Sequence, residues 1–145
     1  MPDGQKPRPK AGRPEPSTRD RGGFTVEALE VTALAPVVQA TLWGFWDVEV
    51  AERFRAELIQ LAPRLGPTWS IVVDSRAFLP QTPEVSRHRR DSMAMLMNEG
   101  CMRIAAVVTE NGTYAMQFSR IASEAGVKNA VFLDPDAALK WVREA

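Results

Sequence analysis

The 145 residues contain a single cysteine, a single histidine and a single tyrosine. One cysteine excludes an internal disulfide, and a reducing, cytoplasmic setting fits that usage. One histidine leaves no second for a metal pair, and one cysteine with one histidine is poor material for a nucleophilic triad. There is no glycine-rich phosphate loop and no dinucleotide fingerprint. No apolar run approaches the ~20 residues of a membrane span, and the polar N-terminus lacks the apolar stretch of an export signal. Net charge is missing too: 18 basic side chains balance 18 acidic ones, so no specific nucleic-acid binding is expected of the whole chain. The expectation is a protein that is not an enzyme and needs neither metal nor cofactor. Only acids that converge in space would reopen catalysis.

What is present is a chain 45% hydrophobic and 25% charged, which suits one domain with one core. Residues 1–23 stand apart. They hold five of the eleven prolines, six basic and three acidic residues, and no aromatic or branched aliphatic side chain. Such a segment buries too little surface to offset its ordering entropy. It reads as a disordered Pro/Arg-rich tail, and residues 24–145 as the folded domain.

From Phe24 the pattern is globular. "FTVEALEVT" and "VVQATLWGF" are rich in β-branched and aromatic residues, and the short "ALAP" between them suggests an antiparallel hairpin. Alternation slips between Val26 and Leu29, which suggests a bulge. Asp47 caps a first helix whose Val50, Phe54, Leu58, Leu61 and Leu65 recur at helical spacing, ended by Pro63 or by Gly66 with Pro67. "WSIVVD" reads as a short strand buried on both faces. A second helix runs from Pro83 to Glu99 and stops at Gly100. "RIAAVVT" is another buried strand, Thr113–Ala125 a third helix, "AVFL" a last strand, and Asp134 with Pro135 opens a fourth helix. Strands alternating with helices imply α/β architecture. The expected fold is a mostly parallel sheet of about five strands, with an N-terminal antiparallel hairpin and four helices.

This order resembles the STAS domain, the fold of the anti-sigma-factor antagonists and of the cytoplasmic tails of sulfate transporters. The residues that carry the likeness are "LWGFWDVEVAERFRAEL" (42–58), "IVVDSRAF" (71–78), "RIAAVV" (103–108) and "VFLDPDAALKWV" (131–142). The closer resemblance is to a bacterial STAS-like branch grouped with CRAL-TRIO lipid-binding domains. It spans nearly all of the chain beyond the tail, and its motifs are apolar patterns and caps rather than catalytic signatures.

The resemblance implies a phosphorylated serine at the start of the second helix, where a phosphate's charge switches partner binding. Thr82 stands near that position, with Gln81 where the family usually has an acid. Here Pro83, Glu84 and Val85 follow, instead of small residues and glycine. Pro83 removes an N–H and Glu84 already places negative charge in that turn. The plainer reading of Thr82 is therefore a helix cap. Ser75 and Ser86 are further phosphoacceptor candidates. Asp74, taken as the strand's last residue, is a candidate for partner binding at the C-terminal edge of the sheet, where open α/β sheets bind ligands; it equally suits a loop cap.

Other signals are apolar. "MAMLM" (93–97) puts more apolar surface on the second helix than one stripe buries, so Met93 and Met97 are candidates for a soft patch. Trp43 and Trp46 are candidates for lining an apolar pocket, with core packing as the alternative. "RHRRD" (87–91) reads as a solvated charged face, and His88 as a packed histidine. Two functions follow. The first is a bacterial signalling module that binds a protein partner through the loop and N-terminus of the second helix. The second is a carrier or sensor of a lipid or other apolar small molecule, which needs a closed apolar cavity of ~300 Å³ or more. A homodimer is left open.

Overall fold

The computed structural model describes residues 22–29 and 35–144. The tail expected over residues 1–23 falls almost wholly outside them, as does half of the expected hairpin turn over 33–36. Five strands form one sheet: β1 (Gly23–Leu29), β2 (Val37–Gly44), β3 (Trp69–Phe78), β4 (Cys101–Val107) and β5 (Lys128–Phe132). They lie side by side in chain order. β1 and β2 are antiparallel, and the other pairs are parallel. Four helices connect or follow them: α1 (Val48–Leu61), α2 (Pro83–Asn98), α3 (Thr113–Ala125) and α4 (Pro135–Arg143). This is the expected α/β arrangement.

Local chemistry sets the helix ends. Asp47 Oδ1 accepts from Val50 N, Thr82 Oγ1 from Val85 N, and Asp134 Oδ1 from Asp136 N. Each satisfies one of the free N–H groups of a first turn. Pro63 cannot donate to the helical ladder, so α1 passes into a short 3-10 turn over Ala62–Leu65. At Gly100 the chain leaves α2 with φ 108°, and a Cβ there would lie 2.4 Å from the Pro67 carbonyl oxygen. Only glycine fits.

The alternation of β2 and β3 divides the core. Val38, Ala40 and Leu42 of β2 and Ile71 and Val73 of β3 face α1, α2 and α3, in one cluster with Phe54, Leu58, Leu96 and Phe118. Val37, Val72, Ala105 and Val107 face the other way, where Ala138 and Val142 of α4 cover them. Three helices on one face and one on the other explain why β3 and β4 read as nearly unbroken apolar runs.

Two expectations are corrected. The β1–β2 ladder runs without a shift from Gly23↔Trp43 to Leu29↔Val37, so there is no bulge between Val26 and Leu29. The irregularity lies between β2 and β3, at Thr41 and Trp43. β3 also does not end at Asp74. It continues to Phe78, because β2 extends far enough to pair Gly44 with Phe78.

Candidate functional site

The parallel strands end together at Gly44, Phe78 and Val107, and three loops gather there. The loop after β3 is tied down on both sides. Gln81 is buried. Its Oε1 accepts from Trp46 N at 2.8 Å and its Nε2 donates to Gly44 O at 3.0 Å. Its backbone N–H donates to Gln117 Oε1 of α3, and its carbonyl accepts from Gln117 Nε2, both at 2.9 Å. Leu79 N donates to Gly44 O. One glutamine thus joins the ends of β2 and β3, the start of α2 and the flank of α3.

That knot holds apolar side chains out to solvent. Phe45 is 51% exposed, Leu79 40% and Met116 73%. Thr82, Pro83 and Glu84 are exposed beside them. Between the ends of β3 and β4 lies an open cleft of about 250 Å³, walled by Ser75, Arg76, Phe78, Pro80, Gly112 and Tyr114.

Beneath the rim sits a charged side chain that the sequence reading placed on a solvated face. Arg89 is only 5% exposed. Its guanidinium lies 5.1 Å from the Phe78 ring centroid, 5.8 Å from Trp46 and 5.9 Å from Tyr114. Nη1 donates to Tyr114 Oη at 3.2 Å, and Ser75 Oγ donates to the same oxygen at 3.4 Å. The signal was in the spacing: position 89 is four residues from both Val85 and Met93, on the buried stripe of α2. Its charge hid it.

The expected site residues separate. Gln81, Thr82 and Trp46 meet at this edge. Of the three hydroxyls, Thr82 is exposed and occupied as a cap, while Ser75 and Ser86 are buried. Asp74 is not a strand end, and it is not among the cleft's walls, although its partner Arg76 is. Next to Val73 of the three-helix face, it lies on the α4 face, where Arg76 Nε and Nη2 bind its carboxylate at 2.9 and 2.7 Å. Trp46, with Phe45, lines an open groove of about 500 Å³ between Gly22 and the start of α1, and Trp43 is not in its wall. Trp43 sits over Gly23, whereas Trp46 packs edge-on against Phe24, Phe54 and Phe78. Met93 belongs to the core, while Met97 is exposed at the far end of α2, some 22 Å from Thr82 at 1.5 Å per residue. The apolar cavity between α1, α2 and the sheet leaves about 30 Å³ for the centre of a water-sized sphere. No group of three or more metal-ligating side chains occurs among the described residues, nor a helix long and apolar enough to cross a membrane.

No protein-family model matches the sequence, and no curated protein matches it. Solved structures do. One is an uncharacterised protein of the DUF3478 family with a SpoIIAA-like fold from Shewanella loihica PV-4. It has a TM-score of 0.62 and 14% identity over 83% of this chain and 94% of that one. Another is an anti-sigma factor antagonist from Mycobacterium paratuberculosis, with a TM-score of 0.58 and 16% identity over 86% of this chain and 96% of that one. The chain has the STAS-like fold that its sequence resembles.

Proposed function

We propose that the chain is a non-enzymatic bacterial regulatory module of the cytoplasm, which binds a protein partner at the C-terminal edge of its sheet. The observation that carries this reading is the Gln81 knot. It fixes the loop before α2 from two sides while leaving Leu79 and Thr82 exposed. A pre-formed loop loses little freedom on docking, and apolar side chains at its rim supply contact area. The likeness to an anti-sigma factor antagonist supports a protein as the partner.

Carriage of a lipid or other apolar molecule is the second reading. Against it stands the cavity under α1 and α2, about 30 Å³, a tenth of what a carried ligand needs.

Photo-crosslinking in the native host tests the first reading. A crosslinking residue replaces Leu79, Thr82 or, as a control on exposed α1 surface, Gln60. One protein captured from positions 79 and 82 but not from 60 supports the site. The same proteins at all three positions, or none at 79 and 82, would sink it.

A further inference from the structure

The chain enters β1 through a tight passage. A Cβ at residue 22 would collide with the Phe45 carbonyl and the Trp46 ring, and one at residue 23 with the Trp43 ring, so the backbone passes there only as glycine. Trp46 Nε1 donates to Gly23 O at 3.1 Å and pins the entry. β1 is antiparallel to β2, with Gly23 opposite Trp43. The segment before Gly22 is therefore delivered at the C-terminal edge of the sheet, beside the start of α1.

At that point lies the open groove of about 500 Å³, a volume in the ~300–1,000 Å³ range of small-ligand sites. Phe45 in its wall is half exposed and has no ring contact among the described residues. Asp47, Glu49 and Arg53 of the same wall are exposed. None of the three has an ion-pair partner among the described residues. Two carboxylates and one guanidinium thus surround an uncovered aromatic ring. Residues 1–21 lie outside the described residues, and the three that precede Gly22 are Arg19, Asp20 and Arg21. Their balance is the reverse, two cations and one anion. In an extended chain alternate side chains share a face, so Arg19 and Arg21 point together and Asp20 points away from them.

We propose that residues 19–21 of the same chain lie extended in this groove, with Arg21 over the Phe45 ring and beside Asp47, Arg19 beside Glu49, and Asp20 outward. A guanidinium stacks on an aromatic face and bonds a carboxylate through its planar fork. Exposed ion pairs are individually weak, but the segment is joined to the groove's wall at Gly22. Such a short tether gives an effective concentration of millimolar order. Docking covers Phe45, one of the apolar side chains exposed at this edge. It stands independently of the regulatory reading and goes beyond it.

The test is nuclear magnetic resonance of the isotope-labelled full chain. The backbone amides of residues 19–21 are as rigid as those of α1, and nuclear Overhauser effects connect the Arg21 methylenes to the Phe45 ring. In a mixture of labelled and unlabelled protein these contacts stay within one chain. Arg19→Glu places like charges together and lowers the docking constant roughly threefold, read as weaker contacts and looser amides. Adding Glu49→Arg to that variant restores both, a reversal that no loss of folding produces. Amides as mobile as a free chain end, contacts between two copies, an unchanged Arg19→Glu variant, or no recovery on adding Glu49→Arg would each overturn the proposal.

Discussion

Gln117 clasps the backbone of Gln81 with both ends of its side-chain amide, accepting from the Gln81 N–H and donating to the Gln81 carbonyl, each at 2.9 Å. The Gln81 side chain then reaches away to Trp46 N and Gly44 O. Thirty-six residues separate the two glutamines, so the pair is a tertiary lock on the loop that opens α2.

Breaking the lock from its two sides has unequal costs. Gln81→Leu leaves the buried Trp46 N–H without an acceptor, and such an orphaned group costs about 1–3 kcal/mol. Gln117→Ala frees backbone groups that are only partly buried, and costs about 1 kcal/mol. Urea denaturation of both variants gives the order. A smaller loss for Gln81→Leu than for Gln117→Ala would contradict it.

Thr82 acts as a cap. Thr82→Ala removes the acceptor for Val85 N and lowers stability by about 1 kcal/mol. Affinity for the proposed partner changes less than tenfold, because the loop is held by Gln81 rather than by this hydroxyl. A tenfold loss of affinity with an unchanged melting temperature would show instead that the hydroxyl is read by the partner.

The two methionines once grouped as a patch part company. Met93→Ala opens a hole in the core and costs about 2–5 kcal/mol. Met97→Ala, on exposed surface, stays within about 0.5 kcal/mol. Paired denaturation curves measure the contrast, and similar losses would mean that Met97 is covered.

His88 makes the fold sensitive to mild acid. Burial of the ring lowers its pKa below the ordinary value of 6.5, Arg55 lowers it further, and Glu52 and Asp91 pull the other way. The unfolded chain therefore takes up a proton at a higher pH than the folded one. The stability tied to the neutral ring is fully present above pH 6.5 and is lost as the pH falls below it. His88→Asn removes that part of the slope between pH 7 and pH 5. An unaltered slope would assign the loss to carboxylates.

Cys101 is the least reactive kind of thiol. Burial pushes its pKa up to about 12, so almost no thiolate exists at pH 8. Thiol reagents label it slowly in the folded protein and fully in denaturant. Rapid labelling of the native chain would mean that β4 opens at its start.

Much of this was legible because it is local. Thr82, Pro83 and Glu84 announce a helix start, Gly100 its stop, and the stripe of Tyr114, Phe118, Ile121 and Ala122 the face of α3. The misreadings share a cause, which is that long-range pairing overrode local appearance. Ser75 and Arg76 look like loop residues, yet β2 carries the strand on to Phe78. Arg89 looks like surface, yet Trp46, Phe78 and Tyr114 supply a place for its charge. The Gln81–Gln117 clasp has no periodic trace at all, since it joins a loop to a helix that arrives much later in the chain.

Strand order in space repeats strand order along the chain, and this has a mechanical consequence. Gly23 pairs with Trp43 near the C-terminal end of β2, and Phe132 pairs with Val107 at the C-terminal end of β4. The two outer attachment points therefore sit at the same end of the sheet, on opposite edges, about 19 Å apart at the usual ~4.8 Å strand spacing. Tension between them runs across the strands, loading the ladders one hydrogen bond at a time. Under force the sheet peels open like a zipper instead of resisting in shear.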